Sequence, residues 1–132
     1  MDFLSDIETG IAEALAGLTG VQILERETDE IRESKAVVVK AEVVKEFSPG
    51  SRIWEVEIEV ALRVNRMEHD ADVAKDTFQD MFALVCNTDK EDLCDPAKVT
   101  LFSWYVQGTS SQWAQDVSVQ SVKVRCHAQQ AS

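Results

Sequence analysis

Glu55, Glu57 and Glu59 stand at alternate positions and form the most regular row of ionisable side chains in this chain. A carboxylate pair can do general acid–base work when burial raises the pKa of one member. In this chain the glutamates alternate strictly with Trp54, Val56, Ile58 and Val60, which predicts a strand with all three carboxylates on its polar face. The expectation is a solvated row, not a catalytic pair. The other groups from which a nucleophile or a metal centre could be built are two histidines, His69 and His127, and three cysteines, Cys86, Cys94 and Cys126. The odd cysteine number and the spacings fit no zinc pattern, and buried thiols are the commoner use. Cys126 and His127 are adjacent, so on a strand they point to opposite faces and make a poor nucleophile–base pair. Asp70, Asp72 and Asp76 fall in the first half of a predicted helix, where negative charge complements the helix dipole. The run Asn87 to Asp95 has the acid density of a calcium loop but lacks its glycine and closing glutamate. The chain has no glycine-rich phosphate loop, no Ser-His-Asp order and no His-x-x-x-His motif. The reading is that the protein is not an enzyme, with no catalytic residue, cofactor site or metal ligand.

The element that carries the glutamate row is predicted to be one arm of a long β-hairpin over residues 36–65, turning at Ser48-Pro49-Gly50-Ser51. With those four residues as the loop, Phe47 faces Arg52, Val43 faces Val56, Ala41 faces Ile58, Val39 faces Val60 and Val37 faces Leu62. All four Val and Ala pairs are apolar and share one face. On the other face Lys40 opposes Glu59, a favourable pair, and Glu42 opposes Glu57, an unfavourable one unless something separates them. A slip of one residue would set each valine against a glutamate, so the register is well specified.

Around the hairpin, residues 5–18 read as a helix opened by a Ser5/Glu8 capping box, with Leu4, Ile7, Ile11, Leu15 and Leu18 as its apolar stripe. Val21 to Leu24 is a short strand. The charged stretch 26–35 is either a solvated loop or an arm that orders on a partner. A second helix begins at Asp70 or Asp72 and buries Ala74, Phe78, Met81, Phe82 and Val85. It ends in a short helical turn before Pro96. Lys98 to Gln107 is a strand, with Val99, Leu101 and Tyr105 on one face and Phe102, Trp104 and Val106 on the other. Gly108 to Gln115 reads as a polar loop, whose Trp113 either folds over the core edge or anchors a subunit contact. The last strand, Asp116 to His127, needs a β-bulge near Gln120-Ser121 to change parity. The expected fold is α+β: a mixed, mainly antiparallel sheet of about five strands, two helices on one face, in the order α-β-β-β-α-β-β.

A chain of 132 residues predicts one domain, 1–132, large enough for its own core. The net charge of −11 argues against a nucleic-acid-binding surface, which would be basic. The charge is uneven: residues 67–95 hold nine acids against two bases, and residues 96–132 one acid against three bases. This is the pattern either of a solvated acidic face or of a polarised protomer that associates head to tail. No apolar run approaches membrane-spanning length, and the acidic start Met1 to Asp6 lacks the basic opening of a signal peptide. Both predict a protein made and kept inside a cell.

The element order, together with VVVKAEVVKEFSPGSRIWEVEIEVALRV, DADVAKDTFQDMFALV and VQGTSSQWAQDVSVQSVKVRC, resembles the tail terminator (tail-completion, minor tail protein U-like) family of long-tailed phages and prophages. The resemblance spans nearly the whole chain and rests on organisation, with parts shared by connector and tail-tube proteins. It implies a structural protein that forms a homo-oligomeric ring, typically a hexamer. The ring caps the tail tube protein and offers a surface to the head–tail connector protein. It also implies residence in the host cytoplasm during assembly and then in the virion tail. DNA would pass through the lumen without specific binding, and lumen carboxylates would repel its phosphates. The family brings no catalytic residues and no cofactor. The candidate interaction residues are Glu27, Asp29, Glu30 and Arg32 of the linker, Lys40, Glu42, Glu55, Glu57, Glu59 and Arg63 of the hairpin's polar face, and Trp113. The alternatives are another prophage morphogenesis subunit, a connector or tube-like protein, or a small cytosolic ligand-binding or enzymatic α+β domain.

Overall fold

The computed structural model describes residues 2–25, 31, 33–87 and 99–130. It is an α+β fold in the expected order: α1 (Asp2–Ala14), β1 (Gln22–Leu24), β2 (Lys35–Glu46), β3 (Ile53–Asn65), α2 (Ala71–Asn87), β4 (Val99–Trp113) and β5 (Val117–Gln130). The five strands form one sheet in the order β1-β2-β3-β5-β4, antiparallel except for the β1–β2 pair. Both helices contribute to a single core against one side of the sheet, the helix face; the other side is the open face. That core takes Ile7, Ile11 and Leu15 from α1, Ala74, Met81 and Val85 from α2, and the inward rows of β2, β3 and β5.

The hairpin register is the one the alternating pattern requires. Val37 pairs with Leu62, Val39 with Val60, Ala41 with Ile58 and Val43 with Val56, while Lys40 and Glu42 face Glu59 and Glu57. Near the tip the structure departs from the expectation. Val44 is an extra residue, so Lys45 faces Glu55 and Glu46 faces Trp54. Phe47 therefore donates its N–H to Ile53 at 2.7 Å and does not face Arg52. The turn itself is as Pro-Gly chemistry dictates. Ser51 N bonds Ser48 O at 3.0 Å, with Gly50 at a φ of 77° in the position that favours glycine. Arg52, at a φ of 60°, absorbs the twist mismatch that a turn of this hand leaves.

Helix α1 starts earlier than its capping signal suggested. Ser5 lies inside it, and Glu8, instead of closing a capping box, is buried and accepts the N–H of Ala41 at 3.0 Å. Phe3 joins the core and stacks on Trp54 with ring centroids 6.1 Å apart. Helix α2 opens at its expected cap: Asp70 Oδ1 accepts the Val73 N–H at 2.9 Å. Asp70→Ala is expected to cost about 1 kcal/mol, read as a lower urea midpoint at unchanged slope. Its predicted stripe is buried at Ala74, Met81 and Val85 and partly buried at Phe78 and Phe82. The helical turn expected before Pro96, and Cys94 within it, lie outside the described residues.

The C-terminal hairpin corrects the sequence reading in three places. The polar run Gly108 to Trp113 is strand, not loop: β4 pairs with β5 through Trp113↔Ser118, and the turn is confined to Ala114–Asp116. An edge strand that no helix covers has no need of apolar side chains, so its composition mimics a loop. Strand β5 carries no bulge and keeps one register against β3 from Ile53↔Gln129 to Asn65↔Val117. The parity change is met instead by placing Ser118 and Gln120 on the helix face, both buried. Bulges occur in β4, where Ser103 and Trp104 together oppose Cys126 and Gln107 is extra. The first sends Tyr105 to the open face opposite Arg125, away from Val99 and Leu101, and sends Trp104 into the core periphery, away from Phe102.

Candidate functional site

The open face brings most of the predicted polar residues into one lattice. Glu55, Glu57 and Glu59 run down β3 between Lys40 and Glu42 on β2 and Lys123 and Arg125 on β5, because alternation puts every other residue of three adjacent strands on this side. Arg125 donates to Glu55 Oε1 and to Glu57 Oε2, each at 3.0 Å. Lys123 Nζ lies 3.6 Å from Glu57 and 3.9 Å from Glu59. Lys40 meets Glu42 at 3.2 Å, and Lys45 meets Glu55 at 3.8 Å. Each member of the like-charged pair Glu42–Glu57 thus has its own cation, Lys40 for the first and Lys123 and Arg125 for the second. The sequence reading missed Lys123 and Arg125. Their signal was there, since a basic pair at alternate positions of the last strand complements a glutamate row on its neighbour.

The two carboxylates hold the Arg125 guanidinium above its ordinary pKa, the Glu57 hydrogen bond contributing most and the Glu55 bond next. A cation raised in the folded state contributes stability at every pH below its unfolded pKa and loses it only as pH climbs through the folded one. The arginine contribution is therefore constant through the neutral and mildly alkaline range. Arg125→Gln is expected to lower the thermal midpoint, and added salt is expected to narrow the gap between parent and variant, because these partly exposed pairs are screened. Circular-dichroism melts at two ionic strengths check this.

The open face is not charged throughout. Leu24 and Ala36 are buried on it at one end. At the other end the His127 ring lies between Phe102, stacked at 5.5 Å, and Phe47, edge-on at 5.2 Å. Phe47 and Tyr105 remain exposed there. Cys126, adjacent in sequence to His127, is buried on the helix face, so the thiol and the ring are on opposite sides of the sheet.

The other predicted residues are dispersed. Arg63 sits away from the ion-pair lattice and lines a depression of about 500 Å³ with Ser34, Asn65 and Asp116. Trp113 lies on the helix face at the far corner of the sheet, with Arg66 5.2 Å and Lys75 5.8 Å from its ring. Glu27, Asp29, Glu30 and Arg32 lie outside the described residues. One contact was invisible in the sequence: Ser34 Oγ and His69 Nε2 are 2.7 Å apart, joining the start of β2 to the approach to α2. Within the described residues no carboxylate is seen to bond the second His69 nitrogen. A second depression, about 520 Å³, lies between the α1–β1 turn and α2, lined by Leu18, Val21, Lys35, Asp80 and Leu84 among others. No group of three or more His, Cys, Asp or Glu among the described residues is arranged to hold a metal ion. No described helix is long and apolar enough to cross a membrane.

The fold and this face define a class, a five-stranded α+β protein with helices on one side of the sheet and an ion-paired second side. The comparisons add no family to it: no protein-family model and no curated protein matches the chain.

Proposed function

We propose that the chain is a structural subunit of a long-tailed phage or prophage, a tail terminator that assembles into a ring, caps the tail tube and receives the head–tail connector protein. The observation that carries this reading is the open face. It is wide and laced by salt bridges, and a depression within the lattice, between Lys40, Glu57 and Lys123, holds only about 120 Å³. Such a surface suits contact with another protein better than it suits a small substrate, which needs a concave, largely apolar site. Exposed Phe47 and Tyr105 at its edge, beside Arg125, are the residue types that anchor subunit contacts. The excess of acids, −11 overall, would let DNA slide through a lumen without sticking.

The test is electron microscopy of the protein alone and mixed with a tail tube protein of a long-tailed phage. Rings, or caps on tube ends, are the expected result. Failure to form either, with tubes that lengthen without limit in its presence, would sink the reading. Rings that bind the head connector and ignore the tube would move the protein to the connector class.

A further inference from the structure

The sheet has two edges, and they are not equivalent. One edge is β1, only three residues long, and shortness is itself a guard; the β2 edge beyond it is guarded as well. Its phase follows from the Asn65 N to Ser34 O bond of 2.7 Å, which makes 34/65 a mutually bonded pair. Odd-numbered β2 residues therefore point their N–H groups away from β3. The outward N–H of Ala41 is already taken by Glu8 of α1, and the edge also carries Lys40, Glu42 and the Val44 bulge. Charge, bulge and cover are the devices that keep an edge from pairing. The first part of β4 is guarded too, by its two bulges. From Gly108 to Trp113 every such device is missing. The stretch GTSSQW has no charge, no proline and no bulge, pairs regularly with β5, and is exposed at every position.

We infer that this segment is an interaction surface for a second copy of the same chain, the two β4 edges pairing antiparallel across a two-fold axis at Ser111. The chain offers no second unguarded edge among its described residues, so sheet extension between copies has to use the same strand twice, and a two-fold contact is the result. The hydrogen-bond phase agrees. Ala114 N bonds Val117 O at 2.9 Å, so 114/117 is a mutually bonded pair and even-numbered residues point their N–H groups at β5. Thr109, Ser111 and Trp113 are left with N–H and C=O groups directed outward. With the axis at Ser111, Ser111 meets itself and Thr109 meets Trp113 of the other copy, each in mutually bonded register.

The side chains match as well. Thr109, Ser111 and Trp113 oppose Val122, Gln120 and Ser118 and so share the helix face. The half-exposed Trp113, held from below by Arg66 and Lys75, then covers the threonine methyl of the other copy. On the open face Ser110, whose hydroxyl is bonded to that of Ser121 at 2.7 Å, lies opposite Gln112 of the other copy. No like charges are opposed anywhere in the pairing, as they would be were any of these residues ionisable.

This contact does not rest on the ring reading, since a cyclic ring is built head to tail from two different surfaces. The test uses the full chain in light scattering and sedimentation over a range of concentration. The parent is expected to dimerise reversibly. Ser111→Lys and Ser111→Glu, which set like charges directly opposite, are each expected to weaken the dimer by about tenfold or more, and mixing the two variants is expected to restore it. Ser111→Pro removes an outward N–H without breaking the β4–β5 ladder, and is expected to abolish the dimer while leaving the melting curve unchanged at dilutions where the parent too is monomeric. A parent that is monomeric throughout overturns the inference, as does a dimer indifferent to these substitutions or a Lys/Glu mixture that fails to associate. Rings indifferent to all three variants also overturn it, and leave the ring reading standing. A charge-switchable dimer that never caps a tail tube supports it and counts against the ring.

Discussion

Ile58→Ala is expected to cost about 2–5 kcal/mol of folding stability, well beyond the loss from truncating any side chain of the ion-paired lattice. Ile58 sits in the middle of β3, between Ala41 on one side and Val124 on the other, and is fully buried. Its neighbours along the same face, Val56 and Val60, are also buried, and the helices close over them. A centre strand hydrogen-bonded on both sides cannot shift to fill the space, so the lost transfer energy and the cavity add. Ile58→Val, removing one methylene, should cost only about 0.5–1.5 kcal/mol. The adjacent Glu59→Ala is the control. Its side chain is on the open face and 39% exposed, and its pair with Lys123 is long, so the change should stay within about 1 kcal/mol. Urea unfolding of the three variants reads the contrast directly. If Glu59→Ala were as damaging as Ile58→Ala, the alternation on which this fold rests would be wrong.

That alternation is also what made half of the fold legible in the sequence. Val37, Val39, Ala41 and Val43 meet Leu62, Val60, Ile58 and Val56 at one register only, so strand, pairing and buried face follow from a single pattern. The same logic fails in the C-terminal hairpin for a physical reason. Gly108 to Trp113 lies at an edge, where hydrogen bonds to β5 hold the strand and no burial shapes its composition. Ser118 and Gln120 occupy buried positions that apolar residues would normally fill, so the parity of β5 was misread as a bulge. The true bulges, at Val44, Ser103–Trp104 and Gln107, leave no mark that a pattern of apolar residues can show. In the site, the glutamate row was visible because it lies on one strand. Its cations Lys123 and Arg125 come from a strand about 70 residues away in sequence, and only the pairing of β3 with β5 brings them together. The Ser34–His69 staple needs the same kind of long-range knowledge.

Glu8→Leu is expected to destabilise the protein by about 1.5–3 kcal/mol and to make it prone to aggregate. Leucine is a good helix former and apolar, so neither the propensity of α1 nor its contact with the core is sacrificed. What is lost is the bond from the Ala41 N–H to a buried carboxylate, 3.0 Å long. Charged acceptors make the stronger hydrogen bonds, and their removal leaves the Ala41 donor without a partner inside the folded molecule. Glu8→Gln keeps an acceptor of the same reach and should recover most of the loss. The second consequence separates the two roles of the side chain. With Glu8 in place, the β2 edge is closed at its middle and β4 holds the unguarded one. With leucine in place, the outward N–H of Ala41 loses its partner and the β2 edge keeps only the charges of Lys40 and Glu42 and the Val44 bulge as guards, so the molecule carries a second, less guarded edge on the opposite side of its sheet. Two such edges permit open-ended stacking, whereas one permits only a closed pair. Light scattering at a temperature well below the melting point should therefore show large species for Glu8→Leu, and Ser111→Pro added to it should return them to small ones. Aggregation that begins only above the melting point, and ignores Ser111→Pro, would mean that Glu8 merely fastens the helix and does not guard the edge.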